Sequence, residues 1–437
     1  MRTATKRLGV TIAVVLGCAP SPAATIPALA EPNAATVPAL GEDPPFDPAA
    51  AWDELERLMR EAYAYLDRDD FDVEAQLRHA RAQAIATDSP EAFRRVVHRS
   101  TFAFTDPHFI IGPFADDDPN IYPTSSDLVL THEGEAWVVA DVRRESAAAD
   151  AGVRPGWHLV GVDGRTPADA IAAVWEGAVL ARTPRQQAYA ITLAANGRRE
   201  GTRILDFDLG GARRSVTLAN PRELARDVDA RPVLTVTRAG DVPVLRPENS
   251  LGKYDLIAAF DEAIAEIGDA PGLVLDLRNT PSGGNTDVAR AIIGHFVTTT
   301  RAYQVHEIPG VERATTVPRR FVEQVLPRAP TFSGKVAVLG GHWTGSMGEG
   351  LVIGMHAAAG AKTFASDMGD LLGGLYNFDL KHAPARVDLG AERLLHVDGT
   401  PREAFVADVA LPSADLAADG SDPALAAALA WLRTPSK

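Results

Sequence analysis

The chain has 437 residues, of which 46% are hydrophobic and 23% are charged, and its formal net charge at pH 7 is −15. A chain of this length has room for two or three domains of ordinary globular composition. The acidic balance argues against a nucleic acid partner, because neutralising phosphates requires clustered lysines and arginines. The single cysteine, Cys18, excludes an intrachain disulfide and a cysteine-based zinc site.

Residues 1–30 have the composition of an export signal. Three basic residues precede an apolar run at 8–16, which is too short to span a bilayer as an isolated helix. Two cleavage alternatives remain open. A lipobox-like VLGC would make Cys18 the lipidated first residue and attach the protein to a membrane, and an A-x-A site lies at 28–30. Either alternative predicts an exported protein, in the bacterial periplasm or cell envelope or secreted.

The next part of the chain is predicted to be a flexible tether and then a small helical domain. Residues 31–47 are rich in proline and alanine. Apolar residues recur at spacings of three and four over 52–66, which predicts an amphipathic helix. Two further helices are predicted after Asp72 and after Ser89. The helical domain is therefore expected at 48–115.

His108 stands in an aromatic stretch at the end of this domain. On the sequence alone, a single histidine beside aromatic residues is more typical of a structural role than of a catalytic one. Asp106, two residues earlier, could orient the ring.

Residues 116–240 change to short strands and turns. The helix at 148–151, the strand at 157–162 and the following Asp163-Gly164 turn resemble a PDZ domain. PDZ modules bind an extended peptide at a sheet edge. The resemblance implies a carboxylate-binding loop near 126–130, although the usual glycines are missing there.

Residues 241–437 are predicted to form an α/β core. The segment LVLDLRNTPSGGN at 273–285 reads as a buried strand followed by a glycine-rich loop, with a helix after it. Residues 335–340 form a second apolar strand before another helix. This βαβ order implies a largely parallel sheet, and loops at the carboxyl ends of such strands carry function.

Ser346 lies in the second of these loops, at or near the start of a helix of small residues. Free N–H groups and the helix dipole at that position favour a developing negative charge, so Ser346 is a candidate nucleophile. The chain has no nucleotide-binding glycine motif and no HExxH-type metal cluster, so no cofactor is expected.

These segments together resemble the C-terminal processing, or tail-specific, serine protease family, which includes the tricorn protease core. The resemblance covers the helical domain, the PDZ-like insert, LVLDLRNTPSGGN and VAVLGGHWTGSMGEG. It implies a ClpP/crotonase-like core and ATP-independent hydrolysis of peptide bonds. It also implies that Ser346 is the nucleophile and that Gly283 or Gly284, with the Met347 N–H, forms the oxyanion hole.

The resemblance leaves two alternatives for the general base. Many family members use a lysine, but Met368 stands near the expected position. Lys362 could replace it only if its loop folded back. Tricorn-like members resemble a serine–histidine arrangement, which maps onto His108, with Asp106 or Glu349 as possible supporting residues.

Two functions from different classes follow. The first is an exported serine peptidase with a histidine base that acts on a protein or peptide. The second is a binding protein that holds a peptide or hydrophobic ligand on the same scaffold without turnover. The sequence does not give the oligomeric state.

Overall fold

The structure is a computed structural model that describes residues 45–435 with the exception of Asp69. The predicted leader, Cys18 and the tether up to residue 44 lie outside the described residues. The helices of the described part are α1 Pro48–Ala62, α2 Val73–Ala84, α3 Pro90–Thr101, α4 Ala147–Asp150, α5 Pro167–Trp175, α6 Pro184–Asn196, α7 Pro221–Asp229, α8 Asp255–Ile267, α9 Thr286–Gly294, α10 Pro309–Thr315, α11 Met347–Ala359 and α12 Pro423–Leu432. Its strands are β1 Ile110–Gly112, β2 Leu128–Glu133, β3 Ala136–Val142, β4 His158–Val162, β5 Arg203–Asp208, β6 Arg213–Leu218, β7 Leu234–Ala239, β8 Val242–Pro247, β9 Gly272–Asp276, β10 Arg301–Glu307, β11 Arg320–Val325, β12 Lys335–Gly340, β13 Lys362–Ala365, β14 Gly374–Asp379, β15 Arg386–Leu395 and β16 Val409–Ala410.

Six strands form the core sheet, in the order β16-β13-β12-β9-β8-β7. All neighbours are parallel except β7 and β8, which pair antiparallel at one edge. This confirms the predicted largely parallel sheet. Because β9 and β12 are parallel neighbours, the loops that follow them lie side by side at one edge of the sheet.

The core sheet is buried on both faces, as parallel sheets usually are. In β12, Val336 and Val338 pack with the helices α8, α9 and α11, whereas Ala337 and Leu339 pack with α12. The alternation follows from the period of two along a strand. Because apolar side chains cover both faces of the sheet, polar catalytic groups are expected at its loop edge.

The predicted N-terminal helices are confirmed as α1, α2 and α3. The side chains of Asp47, Asp72 and Ser89 each accept a backbone N–H at the helix start. The strand that follows them, β1, belongs to a second, antiparallel sheet of the order β1-β15-β10-β11, with β14 also paired to β15. The segment 48–115 is therefore not purely helical, because its last strand pairs with residues 386–388.

A third, antiparallel sheet has the order β2-β3-β4-β5-β6, and the helices α4, α5 and α6 lie between its strands in the sequence. Asp163 and Gly164 form the predicted tight turn with φ of 50° and 74°, and α5 follows it. The expected boundary at 240 needs correction, because it cuts the β7–β8 hairpin, in which Ala239 pairs with Val242. Among the described residues, no helix has the length and apolar character to cross a membrane.

Candidate active site

Ser346 stands in a sharp turn between β12 and α11. Its backbone has φ 52° and ψ −114°, a region that residues other than glycine rarely adopt. The hydroxyl groups of Thr280 and Thr344 both donate to the carbonyl oxygen of Leu277, at 2.7 and 3.0 Å. The Gly345 N–H donates to the Thr280 carbonyl oxygen at 3.1 Å. The bonds of Thr344 and Gly345 tie the loop of the serine to the loop after β9.

Glu349, one turn into α11, binds the backbone of Ser346. Its Oε2 accepts the N–H of Ser346 at 2.6 Å and that of Leu371 at 3.2 Å, and its Oε1 accepts the N–H of Asp370 at 3.1 Å. The residue is 1% exposed, and this burial raises the pKa of its carboxyl to about 8, although nearby Arg402 acts in the opposite direction. Glu349 thus supports the serine turn directly.

The glycine loop after β9 packs against Ser346. Gly283 has φ 65°, and a Cβ atom there would lie 2.5 Å from the Cβ of Ser346 and 2.7 Å from the nitrogen of Met347. Only glycine fits at this position. The Gly283 N–H donates to the Thr280 carbonyl oxygen at 3.1 Å, whereas within the described residues the N–H groups of Gly284 and Met347 have no acceptor.

The imidazole of His108 is held by a backbone carbonyl group. Its Nδ1 lies 3.0 Å from the carbonyl oxygen of Leu372. A carbonyl oxygen can only accept, so Nδ1 carries the hydrogen and the lone pair of Nε2 is free to take up a proton.

Asp106 acts on this ring indirectly, through the backbone on both sides of it. Its carboxylate accepts the N–H of His108 at 2.9 Å, the N–H of Leu372 at 3.2 Å and the hydroxyl of Tyr63 at 2.9 Å. It therefore fixes the two backbone segments between which the ring is placed. Burial raises the pKa of this carboxyl to about 6.

One segment, residues 370–373, connects the serine turn to the histidine. Its first two N–H groups donate to Glu349, and its third residue, Leu372, contacts the ring of His108. Arg402, which is buried, donates to the carbonyl oxygens on both sides of Leu372. The two candidate groups are thus supported by adjacent residues.

The charge state of His108 is set by its surroundings. Burial lowers the pKa of the imidazole to about 4, and the hydrogen bond to the Leu372 carbonyl offsets only part of this effect. The ring is therefore neutral at pH 7. A neutral imidazole is the form that accepts a proton from a hydroxyl group.

Lys362 lies at the other end of the core sheet. It is the first residue of β13 and pairs with Ala337 early in β12, whereas Ser346 follows the far end of β12. Its Nζ lies 5.8 Å from the centroid of the Trp431 ring. Met368 is buried in the hydrophobic core. Neither residue is placed to act as a base for Ser346.

A second serine–histidine pair lies near the loop edge. Nδ1 of His342 lies 3.0 Å from Oδ2 of Asp141 and 3.4 Å from Oγ of Ser366. In a catalytic relay, the serine and the carboxylate bind different ring nitrogens. Here both share Nδ1, so this cluster is a structural link between β3 and the loop after β12.

A groove of about 820 Å³ lies between the third sheet and the loops of the core. It is lined by β2 and α6 on one side, and by Pro107 and Asp370 on the other. Because Pro107 precedes His108 and Asp370 is the first residue of segment 370–373, the groove leads to the candidate site.

The edge of β2 facing α6 is already hydrogen-bonded at its start. The N–H groups of Asp127 and Leu128 donate to Oδ1 of Asn196 at 2.7 and 3.2 Å. The N–H of Leu130 donates to Oγ1 of Thr192 at 3.1 Å. In the predicted carboxylate-binding loop these N–H groups are therefore not free for a peptide carboxylate.

Residues 251–368 match the model of peptidase family S41. The matched segment contains β9, the glycine loop, β12 and Ser346 with most of its surrounding turn. The resemblance to the C-terminal processing proteases is thus confirmed by the similarity of this segment to peptidase family S41.

Two solved structures are similar over most of the chain. One is mature CPAF in complex with lactacystin, which is 13% identical, with a TM-score of 0.58 over 88% of this chain and 96% of its own. The other is the photosystem II D1 C-terminal processing protease, which is 16% identical, with a TM-score of 0.50 over 83% of this chain and 93% of its own. The sequence matches no curated protein. These similarities confirm the predicted α/β protease-type fold.

Three groups of the site were missed by the sequence analysis. Leu372 contributes a backbone carbonyl, which no side-chain pattern reveals. Tyr63 follows the end of α1, where its only sequence signal is helical periodicity. No sequence pattern singled out Arg402, because its partners are the backbone carbonyl oxygens of Leu371 and Gly373.

Proposed function

We propose that the protein is a serine peptidase that hydrolyses peptide bonds without ATP, with Ser346 as the nucleophile and His108 as the base. The observation that carries this proposal is that segment 370–373 supports both residues. The N–H groups of Gly284 and Met347, which have no acceptor among the described residues, are available to bind an oxyanion. The S41 match of residues 251–368 supports the same reaction class.

In the proposed mechanism, Nε2 of His108 takes the proton of Ser346 Oγ while Oγ attacks the peptide carbonyl carbon. The N–H groups of Gly284 and Met347 stabilise the oxyanion, and Gly283 provides the space for it. The imidazolium then protonates the leaving amine, and water releases the acyl group by the reverse sequence. Ser346 and His108 form no hydrogen bond in this structure, so the mechanism requires that they approach when substrate binds.

We assign substrate delivery to the groove beside the PDZ-like module. The groove leads to His108, and the start of the β2 edge is bonded to α6. Peptide therefore enters through the groove rather than by adding to that part of β2. The helical domain, the module and the core are proposed at 48–115, 116–233 and 234–437.

We further propose export, directed by residues 1–30. Expression in a Gram-negative host separates the two cleavage alternatives. Cys18→Ser should abolish membrane attachment and processing if the lipobox is used, and should leave a soluble processed protein if the A-x-A site is used.

The test of the proposed activity is covalent labelling by a fluorophosphonate probe. The wild-type protein should be labelled, and Ser346→Ala should not. Ser366→Ala is the matched control, because Ser366 is a nearby serine beside a histidine that the mechanism does not use. Labelling that survives Ser346→Ala, or that is lost in a folded Ser366→Ala protein, contradicts the proposal.

A non-catalytic binding protein is the second candidate, and the volume of the groove is the observation that favours it. A folded wild-type protein that resists the probe but binds a peptide library member would support this function. Such a result would also contradict peptidase activity.

A further inference from the structure

Asn249 makes a paired contact with the glycine loop. Its Oδ1 accepts the N–H of Ser282 at 3.0 Å, and its Nδ2 donates to Oγ of the same serine at 3.1 Å. Nδ2 also donates to Oδ1 of Asp229 at 3.1 Å. The backbone of Asn249 has φ 50°, which asparagine tolerates better than most residues.

The orientation of this amide follows from its partners. A backbone N–H can only donate, so the atom facing the Ser282 nitrogen must be the oxygen. The nitrogen then faces the carboxylate of Asp229, which can only accept. The Asn249 N–H itself donates to the carbonyl oxygen of Asn279, at 2.8 Å, on the same loop after β9. Asn249 therefore binds this loop at two separate points.

The chain after Asn249 forms a close-packed support for the loop. A Cβ atom on Gly284 would lie 2.0 Å from the carbonyl carbon of Leu251 and 2.4 Å from the nitrogen of Gly252. The Asn285 N–H donates to the Leu251 carbonyl oxygen at 3.1 Å. The loop is thus tied on both sides of its two glycines, by Asn249 before them and by Leu251 after them.

We propose that Asn249 is a positioning residue that sets the place of the Gly284 N–H relative to Ser346. The inference rests on the proposed function, in which that N–H stabilises the oxyanion. Asn249 acts through Ser282 and does not touch the reacting atoms. Its removal should therefore slow the bond-forming step and leave reversible binding of the probe largely unchanged.

The test uses two variants of the full chain. Asn249→Gly removes the side chain and keeps the positive φ accessible. Asp229→Asn/Asn249→Asp exchanges the two groups, so that residue 249 still accepts the Ser282 N–H and residue 229 supplies a donor to it. The exchange keeps the net charge and moves the carboxylate from the exposed position 229 to the half-buried position 249, where it accepts the Ser282 N–H.

The first readout is fluorophosphonate labelling as a function of probe concentration, which separates the maximal rate from the half-saturating concentration. Asn249→Gly should lower the maximal rate about 10- to 100-fold, as expected for a displaced oxyanion donor. The half-saturating concentration should change less than about threefold. The exchanged pair should recover most of the rate. An unchanged maximal rate in Asn249→Gly, or no recovery in the exchanged pair, overturns the inference.

The second readout is hydrogen–deuterium exchange of the peptide that covers residues 278–286, which needs no activity. Exchange should rise in Asn249→Gly and return to the wild-type level in the exchanged pair. Unaltered exchange in Asn249→Gly overturns the positioning role even if the enzyme is active. If the probe does not label the wild type but Asn249→Gly still raises the exchange of residues 278–286, the positioning role of Asn249 is supported and the proposed peptidase function is contradicted.

Discussion

Nδ1 of His108 lies 3.0 Å from the carbonyl oxygen of Leu372, and this contact determines what the ring can do. The carbonyl fixes the tautomer, so Nε2 is the proton acceptor. A carbonyl oxygen carries no full negative charge, so it stabilises an imidazolium less than a carboxylate would. Burial therefore dominates, and the pKa of His108 stays near 4.

The first prediction concerns the pH dependence of labelling. Because the pKa of His108 is lowered, the neutral and active form should persist well below pH 6.5, the ordinary midpoint of histidine. The rate of fluorophosphonate labelling should be retained at pH 5.5 and fall only as pH approaches about 4. Circular dichroism at each pH confirms that the protein remains folded. An acid midpoint at or above 6.5 in the folded protein contradicts the described environment of the ring.

The second prediction concerns Glu349 and stability. A carboxyl group whose pKa is raised to about 8 in the folded state stabilises the fold in its protonated form. This contribution is fully present below about pH 4.5 and is lost as pH rises through about 8. Glu349→Gln stays neutral, so its urea midpoint should fall less between pH 6 and pH 9 than that of the wild type. Parallel stability curves for the two proteins would contradict the raised pKa.

The third prediction concerns the close approach of Gly283 to Ser346. Gly283→Ala should abolish labelling, because the new Cβ would lie 2.5 Å from the Cβ of the nucleophile. Gly210→Ala is the matched control, since Gly210 has a similar φ of 75° but no atom within 4 Å of the added Cβ. The control carries only the backbone strain, about 1 kcal/mol, and should keep the labelling rate. Equal rates in the two variants would show that the loop does not pack on the serine.

The fourth prediction separates the two candidate bases. Lys362→Ala should leave the labelling rate within about twofold of the wild type, because Lys362 lies at the opposite end of the core sheet. Its ammonium group packs over Trp431, so a small loss of stability is expected, on the order of 0.5 kcal/mol. A 100-fold loss of labelling in a folded Lys362→Ala protein would instead indicate a lysine base.

Much of the fold was predictable because local patterns and tertiary packing agree. The caps Asp72 and Ser89 mark true helix starts, and the apolar strand at 335–340 is β12 to the residue. The boundary at 240 failed for a physical reason. The sequence of a hairpin does not show which sheet the hairpin joins. In the core sheet, β7 is held only through its pairing with β8.

The candidate site was predictable where it depends on side-chain identity and glycine spacing. Ser346, Gly283 and His108 were all named as candidates from the sequence and its family resemblance. The parts that were missed are long-range backbone contacts, such as the Leu372 carbonyl, which lies 264 residues from His108 along the chain. Asp106 was identified, but its partners were not, because the sequence does not show which backbone groups face a buried carboxylate.

The most direct test of the central claim is chemical rescue of the base. His108→Gly should be labelled by the fluorophosphonate at least about 100-fold more slowly than the wild type. Added imidazole should restore part of this rate in a concentration-dependent manner, and it should not restore labelling of Ser346→Ala. Labelling of folded His108→Gly at the wild-type rate without imidazole would contradict the assignment of His108 as the base for Ser346.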